Sequence, residues 1–234
     1  MAFDIFSTVG DYPKMLNKIA LCTLIVSIAA IWFLRTQFPA FDSHLKPLNL
    51  PISVGAGINV PLATFALALM FAFIARVIKL HDRLSDVFGI RQRFDVSEIL
   101  FPLALGAGAS ITTDQIRSLK KQRESLMYKS FYAYASSTPG KAVIDSHYIT
   151  MALDQWCWYW VVLETTFIVF VLAITFLVAK HFETAAILLL LILTFIGVLQ
   201  VIRKLCSDYA LQEVEAILTD VQRKLAISGV FSAL

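Results

Sequence analysis

One charged side chain stands out by position. Glu164 is the only Asp, Glu, Lys or Arg in the 24-residue stretch from Trp156 to Ala179. A carboxylate in such a stretch costs about 3 kcal/mol to place in an apolar medium, so it needs a partner or a purpose. Lys180 follows Glu164 by 16 residues, and Gln200 follows Glu183 by 17. If the two flanking apolar stretches form an antiparallel hairpin, these offsets put Glu164 and Gln200 at a similar depth. The Gln200 amide is then the expected hydrogen-bond partner, with Thr165 and Thr166 beside it and Arg76 or Arg203 within reach of one end. Three uses of the carboxylate follow. In one it is paired and fixes helix register; in another, copies from several subunits line a cavity or cation path; in the third it couples to proton movement. A selective pore needs charge repeated as a ring, and Glu164 is the single charge in any candidate span.

Patterns for covalent or hydrolytic chemistry are missing. The sequence contains no His-Glu-x-x-His, no Cys-x-x-Cys, no Gly-x-Ser-x-Gly and no phosphate loop; Gly106-Ala107-Gly108 lacks the Lys-Ser/Thr that would follow one. His44, His81, His147 and His181 are scattered. His147 and Cys157 are ten residues apart with nothing but proximity to link them. None of these residues calls for a metal or a cofactor, and an enzyme is the class the sequence favours least.

Charge elsewhere is concentrated. Arg83, Asp86, Arg91 and Arg93 form a stretch of alternating sign, and Arg117, Lys120, Lys121 and Arg123 form a basic strip. The plain reading of both is a surface facing water or lipid headgroups; the sharper one is docking of a soluble protein partner or an acidic ligand. No nucleic-acid-binding pattern accompanies the basic strip. Further on, Leu211, Val214, Leu218, Val221 and Leu225 are spaced 3, 4, 3, 4. That is an apolar seam over two heptads, which packs within the chain or against another copy.

The elements carrying these residues follow from composition. Of 234 residues, 58% are hydrophobic and 16% charged, with a mean hydropathy of +0.73. Soluble domains run near 45–50% apolar and about 25% charged, so lipid rather than water is expected to cover part of the fold. Three Cys, nine Gly and seven Pro exclude a disulfide scaffold and a collagen-like repeat. A net charge of +3 gives no case for nucleic acid. Four stretches approach the roughly 20 residues that cross a bilayer core: Ile19–Leu34, Ile58–Ala75, Trp156–Ala179 and Thr184–Ile202. With both termini and residues 76–155 on one side, 17 Lys and Arg fall there against 3 on the other, which predicts N-in and C-in. Phe38 stands where a signal-peptide cleavage site would need a small residue, so the first stretch is read as a retained span.

The connection 36–57, rich in Pro and Gly, is expected to be extended and turned. Ile99–Ala109 is too short to span, and reads as a buried segment of a small domain, an interfacial helix or a re-entrant loop. Thr112 and Gln115 have the spacing of a capping box and predict a helix running from there to about Ala135. From Arg203 to Ser228 there is neither Gly nor Pro, which predicts one continuous helix from Thr184 to about Ser228. Trp156, Trp158, Tyr159 and Trp160 read as an interfacial aromatic belt.

The expected architecture is therefore an all-α polytopic membrane protein. It has an N-terminal tail (1–18), two spans joined by a short outer loop (19–78), a helical cytosolic module (79–155), a transmembrane hairpin (156–202) and a cytosolic amphipathic helix (203–234). The expected function is that of a non-enzymatic, homo-oligomeric anchor or sensor in the inner (plasma) membrane that docks a soluble cytosolic partner. A small ion channel or pore-forming effector gated by that module is the alternative. A bacterial stress or phage-defence setting suits either.

Overall fold

The computed structural model describes residues 7–53, 59–109, 112–138 and 140–232. It is nearly all helical. Helix α1 (Tyr12–Gln37) is followed by a short α2 (Pro39–Leu45) and by two strands, β1 (Pro51–Ser53) and β2 (Asn59–Pro61). The strands pair antiparallel, with Ile52 opposite Val60. Next come α3 (Leu62–Val77), α4 (Leu80–Phe88), α5 (Ile90–Phe94), a π-helical turn at Asp95–Leu100 and α6 (Phe101–Gly106). After these lie α7 (Thr113–Lys121), α8 (Arg123–Leu126) and a second π-helical turn at Met127–Phe131. Three helices close the chain: α9 (Ser146–Val178), α10 (Phe182–Leu218) and α11 (Val221–Ser232).

Three helices, α1, α9 and α10, are long and apolar enough to cross a membrane. Helix α3 has 16 residues, about 24 Å at the usual rise, and is shorter than a bilayer core. It meets the same test only together with α4, from which it is separated by a bend at Ile78-Lys79. The expected start of this span, Ile58, lies outside the described residues; Asn59–Pro61, just ahead of α3, form strand β2, with Pro61 also the N-cap of α3. Proline suits both places: it donates no hydrogen bond to a strand edge, and its fixed φ favours entry to a helix.

The chain divides into two compact units. Of the described residues, the first comprises 16–53, 59–81 and 159–199. Its core is Val169, Leu172, Ala173, Phe176, Ala185 and Leu188, onto which Phe33, Phe38 and Phe195 pack. Phe176 is fully buried, with the rings of Phe33 and Phe38 at 5.3 and 5.1 Å. At the end of α1, the Arg35 guanidinium donates to Asp42 (2.8 Å), Thr64 (2.8 Å) and Asn49 (2.6 Å). One cation thereby fixes α2, the following turn and the start of α3. The described part of the 36–57 connection, expected to be only extended and turned, instead contains α2 and β1.

Of the described residues, the second unit comprises 7–15, 82–109, 112–138, 140–158 and 200–232. Phe94, Leu100, Leu103, Leu119, Met127, Ile217 and Ile227 form its fully buried centre. The segment Ile99–Ala109 therefore lies inside a small helical unit, with Ile99, Leu100, Leu103, Ala104 and Ala107 all buried. The two π-helical turns pack on each other, and α11 packs on α6 and on the second turn.

The expected continuous C-terminal helix is broken at Thr219-Asp220. Asp220 accepts from the Arg223 N–H (2.9 Å) and its own carbonyl accepts from Lys224 (3.0 Å), so it serves as the N-cap of α11. The helix expected over 112–135 is likewise interrupted at Gln122 and widens into the π-turn beyond Leu126. Its start is as expected: the Thr112 backbone N–H donates to Gln115 Oε1 (2.9 Å), and the Gln115 N–H donates back to the Thr112 hydroxyl.

Candidate functional site

In the first unit, Glu164 is 2% exposed and its carboxylate is engaged on both oxygens. The Thr23 hydroxyl of α1 donates to Oε2 at 2.5 Å. Oε1 accepts from the His81 backbone N–H at 3.1 Å and lies 3.2 Å from His81 Nδ1. The backbone donation has a structural cause. His81 is the second residue of α4, whose first N–H groups have no partner inside the helix. Lys79, with φ of +50°, turns the chain out of α3, and Glu164 from α9 then caps the new helix from the side. The Trp160 ring lies over His81 at 5.9 Å. The space beside the cluster is about 10 Å³, bordered by Thr23, Ala72, Ala75, Arg76 and His81, which is room for at most one water.

Sequence reasoning found the carboxylate and missed its partners. Gln200, the expected partner, is exposed; Thr165 is half-buried; Thr166 turns its hydroxyl back to the Val162 carbonyl at 2.7 Å. Thr23 and His81 lie 141 and 83 residues from Glu164. The available signals were modest: a threonine among apolar residues of α1, and a histidine just beyond the end of α3.

In the second unit, charge is organised around Asp95 and Arg123. Arg123 donates to Asp95 Oδ2 at 3.0 Å and to Glu124 Oε1 at 2.9 Å. Burial pushes the Asp95 carboxyl up to about 6, while Arg91 and Arg123 hold it below where burial alone would take it. Arg91 also pairs with Asp82 at 3.5 Å, and its backbone N–H donates to the buried Ser85 hydroxyl at 3.2 Å. The Arg93 guanidinium turns back onto the carbonyls of Phe88 and Gly89.

Beside this network is a cleft of about 570 Å³. Among the predicted docking residues it gathers Asp86, Lys120 and Lys121, together with Arg123, Gln92 and Ser125. Arg83, Arg91, Arg93 and Arg117 do not line it. Arg83 and Arg117 are exposed.

The predicted apolar seam is split. Val214 is 2% exposed, and Leu218 lies so close to α6 that a Cβ added at Gly106 would fall 2.3 Å from its Cδ1. Leu211, Val221 and Leu225 are 37%, 71% and 68% exposed. The Asp220 break rotates the register, so that Ile227 and Phe231 take over as the buried face of α11. His147 has its backbone N–H on Asp145 (2.8 Å), and the buried Cys157 thiol faces the Met15 carbonyl at 3.8 Å. Among the described residues, no three His, Cys, Asp or Glu side chains converge as a metal site would need.

These features define a helical protein with three helices long and apolar enough to cross a membrane, a buried carboxylate cluster and a separate polar cleft. The chain matches the YmfE protein family over residues 11–227 and belongs to it. Neither a curated protein nor a solved structure matches the chain significantly.

Proposed function

We propose that this chain is a four-span integral membrane protein, N-in and C-in, that works as a non-enzymatic anchor or sensor. Helices α1, α9 and α10 cross the bilayer, and α3 with the bend into α4 provides the fourth crossing. Residues 82–158 and 200–232 then form the cytosolic module that docks a soluble partner. Apolar side chains turned away from the protein interior support the membrane part: Ile187, Leu190 and Leu193 of α10 are each at least 65% exposed, a surface unfavourable in water. Val221 and Leu225, on the module, offer a contact to a second copy or to the partner.

The observation that carries the anchor reading over a pore is the closure of Glu164. Its two oxygens are taken by Thr23 and His81 of the same chain, where the carboxylate fixes helix register and caps α4. A pore-lining carboxylate would instead face a shared aqueous path. The test is ion flux through liposomes containing purified protein. The expected result is flux no greater than in empty liposomes, for the wild type and for Glu164→Gln alike. A cation current that Glu164→Gln alters would replace this reading with the channel.

A further inference from the structure

We infer that the cleft between Ser85–Gln92 and Lys120–Ser125 is a binding site for a phosphate-bearing small molecule that also carries hydroxyl groups. At about 570 Å³ it has the size of small-molecule sites, commonly 300–1,000 Å³. Every lining residue except Gly89 carries a polar or charged side chain, so a ligand would be held mainly by charge and hydrogen bonds.

The donors match phosphate. Lys120 and Lys121 are both exposed to the cleft, and among the described residues neither makes an ion pair. An ammonium group acts on phosphate as a point charge with several donors. Arg123 borders the same space, held in place by Asp95 and Glu124, with N–H donors to spare beyond those two bonds. The Gln92 and Gln122 amides and the Ser125 hydroxyl add neutral donors suited to a tetrahedral anion. The acids present are Asp86 and Glu124. Glu124 is satisfied by Arg123, whereas Asp86 has no cation paired to it among the described residues, leaving a lone acceptor for a ligand hydroxyl.

Two sources share this chemistry: a free phosphorylated metabolite such as a nucleotide, and a lipid headgroup such as phosphoglycerol. The inference supplies the input for the sensor reading, and it is tested on purified protein without reference to sidedness. Full-length protein in phosphatidylcholine nanodiscs is titrated with ATP and, separately, with dihexanoyl-phosphatidylglycerol below its micelle concentration. The expected result is saturable, single-site binding of at least one probe. Lys120→Glu with Lys121→Glu should weaken it by roughly tenfold or more, while the charge-matched Lys141→Glu, outside the cleft, leaves it within about twofold. Gln92→Ala, which changes no charge, should also weaken it. Binding of ATP identifies a free metabolite as the source, and binding of the short-chain lipid identifies a headgroup. No binding of either probe, or binding indifferent to the two lysines, overturns the site. That outcome would leave the membrane reading intact, because topology is measured independently in cells.

Discussion

Glu164 contributes through what it accepts. Replacing it with Ala leaves the Thr23 hydroxyl and the His81 backbone N–H buried without their acceptor, at a cost of about 1–3 kcal/mol for each. Glu164→Gln retains a carbonyl for His81 and an amide for the Thr23 oxygen, so it should lose far less. Thermal unfolding in detergent should therefore rank wild type, Glu164→Gln and Glu164→Ala in falling order. Thr23→Val should cost less in the Glu164→Ala background than in the wild type. Asp95 sets a pH dependence of definite sign. Its proton is held more tightly in the folded chain, at about 6, than at the ordinary value of 3.8. The stability it contributes is therefore complete below about pH 4 and is lost as pH rises through 6. Between pH 4 and 7 the wild type should lose about 2 kcal/mol relative to Asp95→Asn, measured by unfolding across that range. The cost of placing Glu164 was legible from the sequence because charge among apolar residues is conspicuous. Its partners were not, because hairpin offsets give depth along a helix but not which face meets which neighbour.

Local signals marked where some helices begin and were silent on where others break. The Thr112–Gln115 capping box was readable because both residues lie within one turn and act on each other. Removing it with Thr112→Val should cost about 1 kcal/mol and speed amide exchange through Thr113–Lys121, with little change in α9. The break at Asp220 was hidden because continuity was judged from the absence of Gly and Pro. An aspartate that caps the next helix stops the previous one equally well. Asp220→Ala should accordingly raise exchange at the start of α11, where the Arg223 N–H loses its acceptor. The break also explains why the heptad spacing misled: Val214 and Leu218 pack inside, while Val221 and Leu225 fall on the far side of a change in register. The 36–57 connection shows the same limit. Its Pro and Gly content argued for turns, but α2 and the turn after it are tied to the start of α3 by Arg35, whose contacts reach 7, 14 and 29 residues along the chain.

At the scale of the whole molecule, composition was informative because solvent preference sums over many residues and needs no register. The apolar stretches behind α1, α9 and α10 were visible for that reason. The 16-residue α3 sits at the margin, where a bend rather than length decides whether the chain crosses. The proposed arrangement places Ser43 of α2 outside the cell and Lys120 of α7 inside. Cys22, Cys157 and Cys206 are all buried, so single introduced cysteines can be read against a low background. The decisive measurement is labelling of Ser43→Cys and Lys120→Cys with a membrane-impermeant maleimide. Ser43→Cys should react in intact cells and Lys120→Cys only after the membrane is opened; reaction of Lys120→Cys in intact cells would contradict the account.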